Sequence, residues 1–153
     1  KKLLQHERKF ISNFGLAAGM GSKKDVVSLA KKHFGEDEGK ISNPIFRTKV
    51  IDHKMKEHAF GLTLQRAADE GGKASAVASM FKYYGTEHNK RRHELMVAAS
   101  GVNGLAWDGN EFDDSEKNLT RAWLRTKGNS IEGGTSEVQL NVISKRVLEL
   151  PSG

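Results

Sequence analysis

The sequence predicts an all-α fold, an antiparallel bundle of four or five helices. Apolar residues recur at helical spacing in several long stretches, no stretch alternates with period two, and β-branched clusters are scarce. The breaks between stretches are short and rich in glycine, asparagine or serine, so consecutive helices return beside one another. A chain of 153 residues suits one domain, here a single helical bundle spanning residues 1–153.

Residues 1 to about 34 read as one long helix or two joined helices, with Leu3, Leu4, Phe10, Ile11 and Phe14 opening the apolar face and Val26, Val27, Leu29 and Ala30 continuing it. The small residues from Gly15 to Gly21 predict a crowded contact with a neighbouring backbone rather than a loop; the alternative is a break near Gly19 to Gly21, with Ser22 and Asp25 able to recap the continuation. Gly35 to Lys40 is a polar connection. Ser42-Asn43-Pro44 then supplies a capping residue followed by proline at the first helical position. The second helix runs to about Glu70, with Ile51, Met55, Ala59 and Leu62 at helical spacing, and Gly71-Gly72 ends it. A third helix starts near Lys73 or Ala74, carries Val77, Met80, Phe81, Tyr84, His88, Leu95, Ala98 and Val102 on one face, and closes at Gly101 to Gly104. A turn-rich loop through Trp107 precedes a fourth helix capped near Asp114 or Ser115 and stopped by Gly128-Asn129.

Composition removes several function classes. There is no cysteine, so neither disulfides nor thiol chemistry are available, which fits a reducing compartment. No apolar run approaches the eighteen or so residues of a membrane span. The net charge of +6 raises a nucleic-acid partner, but the basic residues are interspersed with acids. The one compact run, Lys90-Arg91-Arg92-His93, lacks interleaved aromatics for base stacking and reads as a solvated helix face. Among the six histidines, the pairs His53/His58 and His88/His93 are each five apart, about 140° around a helix, so neither pair converges on one ion and no metal site is expected. The chain starts at Lys1 and reads as an excised part of a longer protein.

The remaining stretch organises the rest. In Gly128-Asn129-Ser130-Ile131-Glu132-Gly133-Gly134-Thr135-Ser136-Glu137-Val138-Gln139, two glycines permit an unusual backbone path just before a helix start at Thr135 or Ser136. Ser136 and Gln139 have capping-box spacing, and Leu140, Ile143, Val147 and Leu150 fall on one stripe of the last helix. A glycine pair feeding a helix start offers N–H groups and a positive dipole end to an anion or a polar cofactor.

From Ile131 through Gly133-Gly134-Thr135-Ser136-Glu137-Val138-Gln139 to Asn141, Ile143, Arg146-Val147-Leu148 and Leu150-Pro151, this string resembles the carboxy-terminal signature of acyl-CoA dehydrogenases. The resemblance extends back to Glu7-Arg8 and implies the last of three domains in a flavoenzyme, the others being an amino-terminal helical domain and a middle β-domain. It implies FAD as cofactor, an acyl-CoA thioester as substrate, and a homo-oligomer (dimer or tetramer) or a related heteromer. The resemblance leaves the acceptor open between an electron-transfer flavoprotein, for a dehydrogenase, and oxygen, for an oxidase; the cytoplasm, ahead of the mitochondrial matrix, is the implied location. Such a fragment alone would bind FAD poorly and turn over little.

Residue by residue, the resemblance implies four contacts. Most members carry the proton-abstracting glutamate just before the Gly-Thr of the signature, where this chain has Gly133. A subset carries it on the first helix before an arginine, which maps onto Glu7 in Gln5-His6-Glu7-Arg8; Glu132 is a second candidate, one residue out of register. A carboxylate in a dry pocket is a usable base because its pKa rises toward neutrality. Gly134, Thr135 and Glu137 map onto the segment facing the adenosine side of FAD. Gly101, in Ser100-Gly101-Val102-Asn103-Gly104-Leu105, resembles a second flavin-contacting turn, with Ala98 where the family has a glutamine. Arg47 is the counterpart of an arginine that meets the FAD pyrophosphate, without the Phe-Gly that follows it in the family.

Overall fold

The computed structural model describes residues 25–69 and 74–151. They form five α-helices, a two-stranded hairpin and a 3-10 turn: α1 (Val26–Phe34), β1 (Glu36–Asp37), β2 (Lys40–Ile41), α2 (Pro44–Asp69), α3 (Ala74–Ala99), the 3-10 turn Gly101–Leu105, α4 (Asp114–Asn129) and α5 (Ser136–Arg146). The all-α class is confirmed. The described residues divide into two compact units. One gathers 25–57 and 88–127, the other 58–69, 74–87 and 128–151, so α2 and α3 each contribute one half to each unit.

The first unit holds a buried apolar cluster. Val26 and Ala30 from α1, Ile41 from β2, Phe46 and Val50 from α2, Leu95, Met96 and Ala99 from α3 and Leu119 from α4 are all buried in it. Phe34 lies against Phe46 with ring centroids 4.7 Å apart. Helix α1 starts after Asp25, which makes no side-chain cap bond; the helix expected over residues 1–24, and any break within it, lies outside the described residues. The α2 start is also as expected: Asn43 Oδ1 accepts the Phe46 N–H at 2.9 Å, with Pro44 at the first helical position.

The polar connection at 35–41 is a small antiparallel hairpin pairing Glu36 with Ile41 and Asp37 with Lys40. Its two central residues, Glu38 and Gly39, both have positive φ, 47° and 78°, the requirement of a tight hairpin turn. Strands of two residues carry no readable period, which is why the sequence shows only a connection here.

Two helical faces differ from expectation. On α2 the buried residues are Phe46, Val50 and His53, spaced i, i+4, i+7, whereas Ile51, Met55 and Leu62 are exposed. The helix is apolar on two sides, and the stripe beginning at Phe46 is the one packed. On α3 the packed residues near the end are Leu95, Met96 and Ala99, while Ala98 and Val102 are exposed, because the backbone leaves the α-helix at Ser100. The cap of helix α4 is Asp113, one residue before the predicted Asp114 or Ser115. Asp113 Oδ1 accepts the Glu116 N–H at 2.9 Å while Glu116 Oε2 accepts the Asp113 N–H at 3.0 Å, a reciprocal capping box.

In the second unit Phe60 of α2 packs against Phe81 and Tyr84 of α3, with centroids 5.9 and 4.9 Å away. The expected stripe on α5 is not packed. Leu140, Val147 and Leu150 are exposed and Ile143 is half-buried; α5 ends at Arg146, short of Val147 and Leu150, and its buried residue is Gln139. A polar side chain occupies the inward position because it bonds back to the glycine turn.

Candidate functional site

The signature turn starts where α4 ends. The N–H groups of Ile131 and Glu132 both reach the Gly128 carbonyl, at 2.9 and 3.0 Å, closing the last helical turn, and the Asn129 side-chain amide donates to Glu132 Oε1. Gly133 and Gly134 follow with φ of 67° and 100°, successive left-handed positions that an L side chain rarely adopts. The Ser136 N–H bonds the Ser130 carbonyl at 3.1 Å and so closes the loop across both glycines.

Thr135, not Ser136, is the N-cap of α5. Its φ and ψ are −63° and 163°, and its Oγ1 accepts the Val138 N–H at 3.3 Å. The predicted Ser136/Gln139 capping box does not form. Gln139, 2 % exposed, instead sends its side-chain amide to the Gly133 carbonyl at 2.9 Å. Glu137 accepts from its own N–H and then from the Thr135 hydroxyl, and these bonds hold its exposed carboxyl below the usual carboxylate range.

The helix start therefore satisfies its first donors internally: Ser136 to Ser130, Glu137 to its own carboxylate, Val138 to Thr135. Glu137 leaves its carboxylate exposed beside the turn.

Helix α3 supports the turn from beneath. Lys82, 6 % exposed, donates from Nζ to the Gly134 carbonyl at 2.7 Å. Glu87 Oε1 accepts from the hydroxyls of both Ser130 and Ser136, each at 3.1 Å. Neither residue stands out in the sequence. Their one signal is a lysine and a glutamate on a helix otherwise read for its apolar face.

Arg47 and Gly101 belong to the other unit. Arg47 is half-buried and donates from a guanidinium nitrogen to the Ile41 carbonyl of β2 at 3.1 Å. Gly101 is exposed at φ 56°, opens the 3-10 turn, and has open space where a Cβ would stand. Behind it, Gly104 is buried against the Val97 carbonyl, and its own carbonyl accepts the Thr120 hydroxyl at 2.8 Å. Glu7 lies outside the described residues.

The same unit brings His53 and His88 together, a pairing that spacing along one helix does not show. Their rings stack with centroids 4.1 Å apart and planes 8° from parallel. With Glu57 their ligating atoms lie within 4.8 Å of one another. Near-parallel rings cannot both point in-plane lone pairs at one ion, and Glu57 is already paired with Lys54 at 2.9 Å, so the arrangement is a stacked pair rather than a formed metal site. Neither ring nitrogen of His53 has a hydrogen-bond partner among the described residues. Burial, and then the neighbouring His88, pull its pKa down from 6.5 to about 4. His88 is lowered too, chiefly by burial.

The described residues thus form a helical fold in which a double-glycine turn is clamped before a short carboxy-terminal helix. The chain belongs to the acyl-CoA dehydrogenase carboxy-terminal domain family, whose sequence model it matches over residues 1–148. It is 36% identical over 133 residues to the acyl-CoA dehydrogenase IpdE1 of Mycolicibacterium smegmatis, and 26% identical over 127 residues to IpdE1 of Mycobacterium tuberculosis. Those matches cover 83% of this chain but only 30% and 31% of the relatives, so the chain spans about a third of their length. Its fold is similar to a chain of the Tcur3481-Tcur3483 steroid acyl-CoA dehydrogenase G363A variant, at TM-score 0.71, 20% identity and coverage of 98% of this chain and 39% of that one. It is also similar to a chain of the ChsE4-ChsE5 complex from Mycobacterium tuberculosis, at TM-score 0.67, 20% identity, and 84% and 34% coverage. Among the described residues no helix is long and apolar enough to cross a membrane.

Proposed function

We propose that this chain is the carboxy-terminal domain of an FAD-dependent acyl-CoA dehydrogenase, an oxidoreductase that introduces a double bond between the α and β carbons of an acyl-CoA thioester. The observation that carries this reading is the family match over residues 1–148 together with the geometry of the Gly133-Gly134-Thr135 turn. The described residues fit the adenosine side of the dinucleotide. Glu137 offers an exposed carboxylate to ribose hydroxyls, and Gly134 keeps the backbone free of a Cβ beside it. In the other unit Arg47, steadied by its bond to β2, would meet the pyrophosphate of an FAD held by a neighbouring subunit, and Gly101 would let the backbone approach such a cofactor across the subunit boundary.

When bound, FAD supplies the hydride acceptor. Glu7 is the proposed base. Its carboxylate takes the α proton, the C–H electron pair forms the new double bond, and the β hydrogen leaves as hydride. Gly133 stands where most relatives by resemblance carry the base, so a base from elsewhere is required.

That same glycine supports a second reading, in which the chain is the non-catalytic partner of a heteromeric complex; one of the similar structures is itself a complex of two components, ChsE4 and ChsE5. A homo-oligomer, an electron-transfer flavoprotein as acceptor and a cytoplasmic location complete the leading proposal.

The test is anaerobic addition of acyl-CoA thioesters to the purified polypeptide that contains this chain. Flavin bleaching in wild type and its loss in Glu7→Gln support the reading. Bleaching retained in Glu7→Gln moves the base to another residue. A polypeptide that neither holds flavin nor supports bleaching in a partner overturns both readings.

A further inference from the structure

We propose that Lys82 and Glu87 are positioning residues that set the conformation of the signature turn and, through it, the affinity for the cofactor. This rests on the reading that the turn meets FAD, and it adds the two helix residues that hold the turn in place.

Ser130 and Ser136 stand on either side of the glycine pair, and both hydroxyls converge on one oxygen of Glu87 at 3.1 Å. One carboxylate thereby fixes both ends of a loop whose middle is built from the two most permissive residues in the chain. Lys82 acts on the middle itself. Its ammonium, buried at 6 % exposure, holds the Gly134 carbonyl at 2.7 Å, a short charge-assisted bond.

The peptide joining Gly134 to Thr135 is planar and trans, so its carbonyl and its N–H point in opposite directions. Drawing the carbonyl toward α3 therefore turns the Thr135 N–H away from α3. Gln139 completes the frame from α5 by bonding the Gly133 carbonyl at 2.9 Å. Two successive carbonyls of the turn, at Gly133 and Gly134, are thus each held by a side chain. Without these bonds two positive-φ glycines have many alternatives of similar energy, and a ligand that selects one of them binds more weakly in proportion to its population.

The lysine also has an electrostatic part. A buried ammonium beneath the turn offsets the negative field of Glu87 and Glu137 on a ligand that carries phosphates. Loss of Lys82 removes both the orienting bond and that compensation.

The experiment uses the polypeptide that contains this chain, with Lys82→Met, Lys82→Arg, Glu87→Ala and the milder Ser130→Ala and Ser136→Ala. Three quantities are read: the FAD dissociation constant, the melting temperature of the flavin-free protein, and amide hydrogen exchange across residues 130–136 without flavin. Lys82→Met and Glu87→Ala are expected to weaken FAD by roughly 10-fold to 100-fold, the range for a charged hydrogen bond. Exchange across the turn rises, Lys82→Arg recovers most of the affinity, and flavin that does bind is still bleached by acyl-CoA.

The serine variants each give a smaller loss of the same kind, and they keep the test decisive if Lys82→Met or Glu87→Ala fails to fold. Variants that bind FAD as wild type does overturn the inference while leaving the family chemistry intact. So does a loss of bleaching with FAD affinity unchanged, or a fall in affinity that only follows melting temperature and is not rescued by arginine. A wild type that holds no flavin overturns the parent reading instead.

Discussion

Acidification should destabilise the fold through His53, and the size of the effect follows from its burial. The ring is 2 % exposed, neither nitrogen has a hydrogen-bond partner among the described residues, and the stacked His88 ring lies 4.1 Å away. Lys54 and Arg92 also disfavour a charge on His53, and only Glu57 favours one. The folded pKa is about 4 against 6.5 when unfolded, so between these values the unfolded chain binds more protons than the folded one. Stability is therefore full above 6.5, falls as pH drops through the window, and levels off below about 4. Each pH unit inside it costs about 1.4 kcal/mol, so acidification from neutrality to about pH 5 removes roughly 2 kcal/mol. For a chain of this size that lowers Tm by roughly 4–8 °C. His88 and His93, lowered mainly by burial, act with the same sign. The assay is thermal or urea unfolding at neutral pH and near pH 5, on wild type and on His53→Phe, which keeps a flat ring against His88 but cannot bind a proton. The variant should lose markedly less stability on acidification. Equal losses in both proteins would refute the claim that burial keeps His53 neutral.

Three further substitutions probe the frame around the site. Gly104→Ala should cost at least about 2 kcal/mol, since the added methyl would overlap the Val97 carbonyl and push the 3-10 turn off Thr120; chemical denaturation measures it. Asn43→Ala removes the cap bond to Phe46 and should lower stability by about 1 kcal/mol, with Asn43→Asp close to wild type in the same assay. Gly134→Ala places a methyl 2.8 Å from Gln139 Nε2 at a φ of 100°, so it should break the Gln139 bond to Gly133 and cost about 1–3 kcal/mol. An unchanged Tm there would show that the turn tolerates a side chain.

The helices were legible because their boundaries are marked chemically. Asn43-Pro44 starts α2, Gly128-Asn129 lies at the end of α4, and Thr135 follows two glycines. Which face of each helix is packed was far less legible. Ile51, Met55 and Leu62 have the same spacing as a core stripe, yet Phe46, Val50 and His53 are the residues buried, and periodicity ranks two apolar sides equally. The contiguous part of the site, Gly134, Thr135 and Glu137, is one loop and could be read in order. Lys82 and Glu87 could not. They stand 52 and 49 residues from the Gly134 and Ser136 atoms they hold, and spacing along one chain carries no trace of such a pairing. The stacking of His53 on His88 is hidden for the same reason, because spacing within one helix says nothing about the next.

Among the described residues, the buried apolar cluster lies within the unit of residues 25–57 and 88–127, and around the signature turn in the other unit buried Ser79, Lys82 and Gln139 accompany the aromatic contacts of Phe60. Polar bonds are exchanged for water at little net cost, while apolar burial is not. A turn held by such polar bonds should open through local excursions that do not require unfolding of the apolar cluster. A cofactor arriving at such a turn would meet a segment able to release and re-form around it while its scaffold stayed folded. Its departure rate would then be set by a local opening rather than by unfolding of the domain.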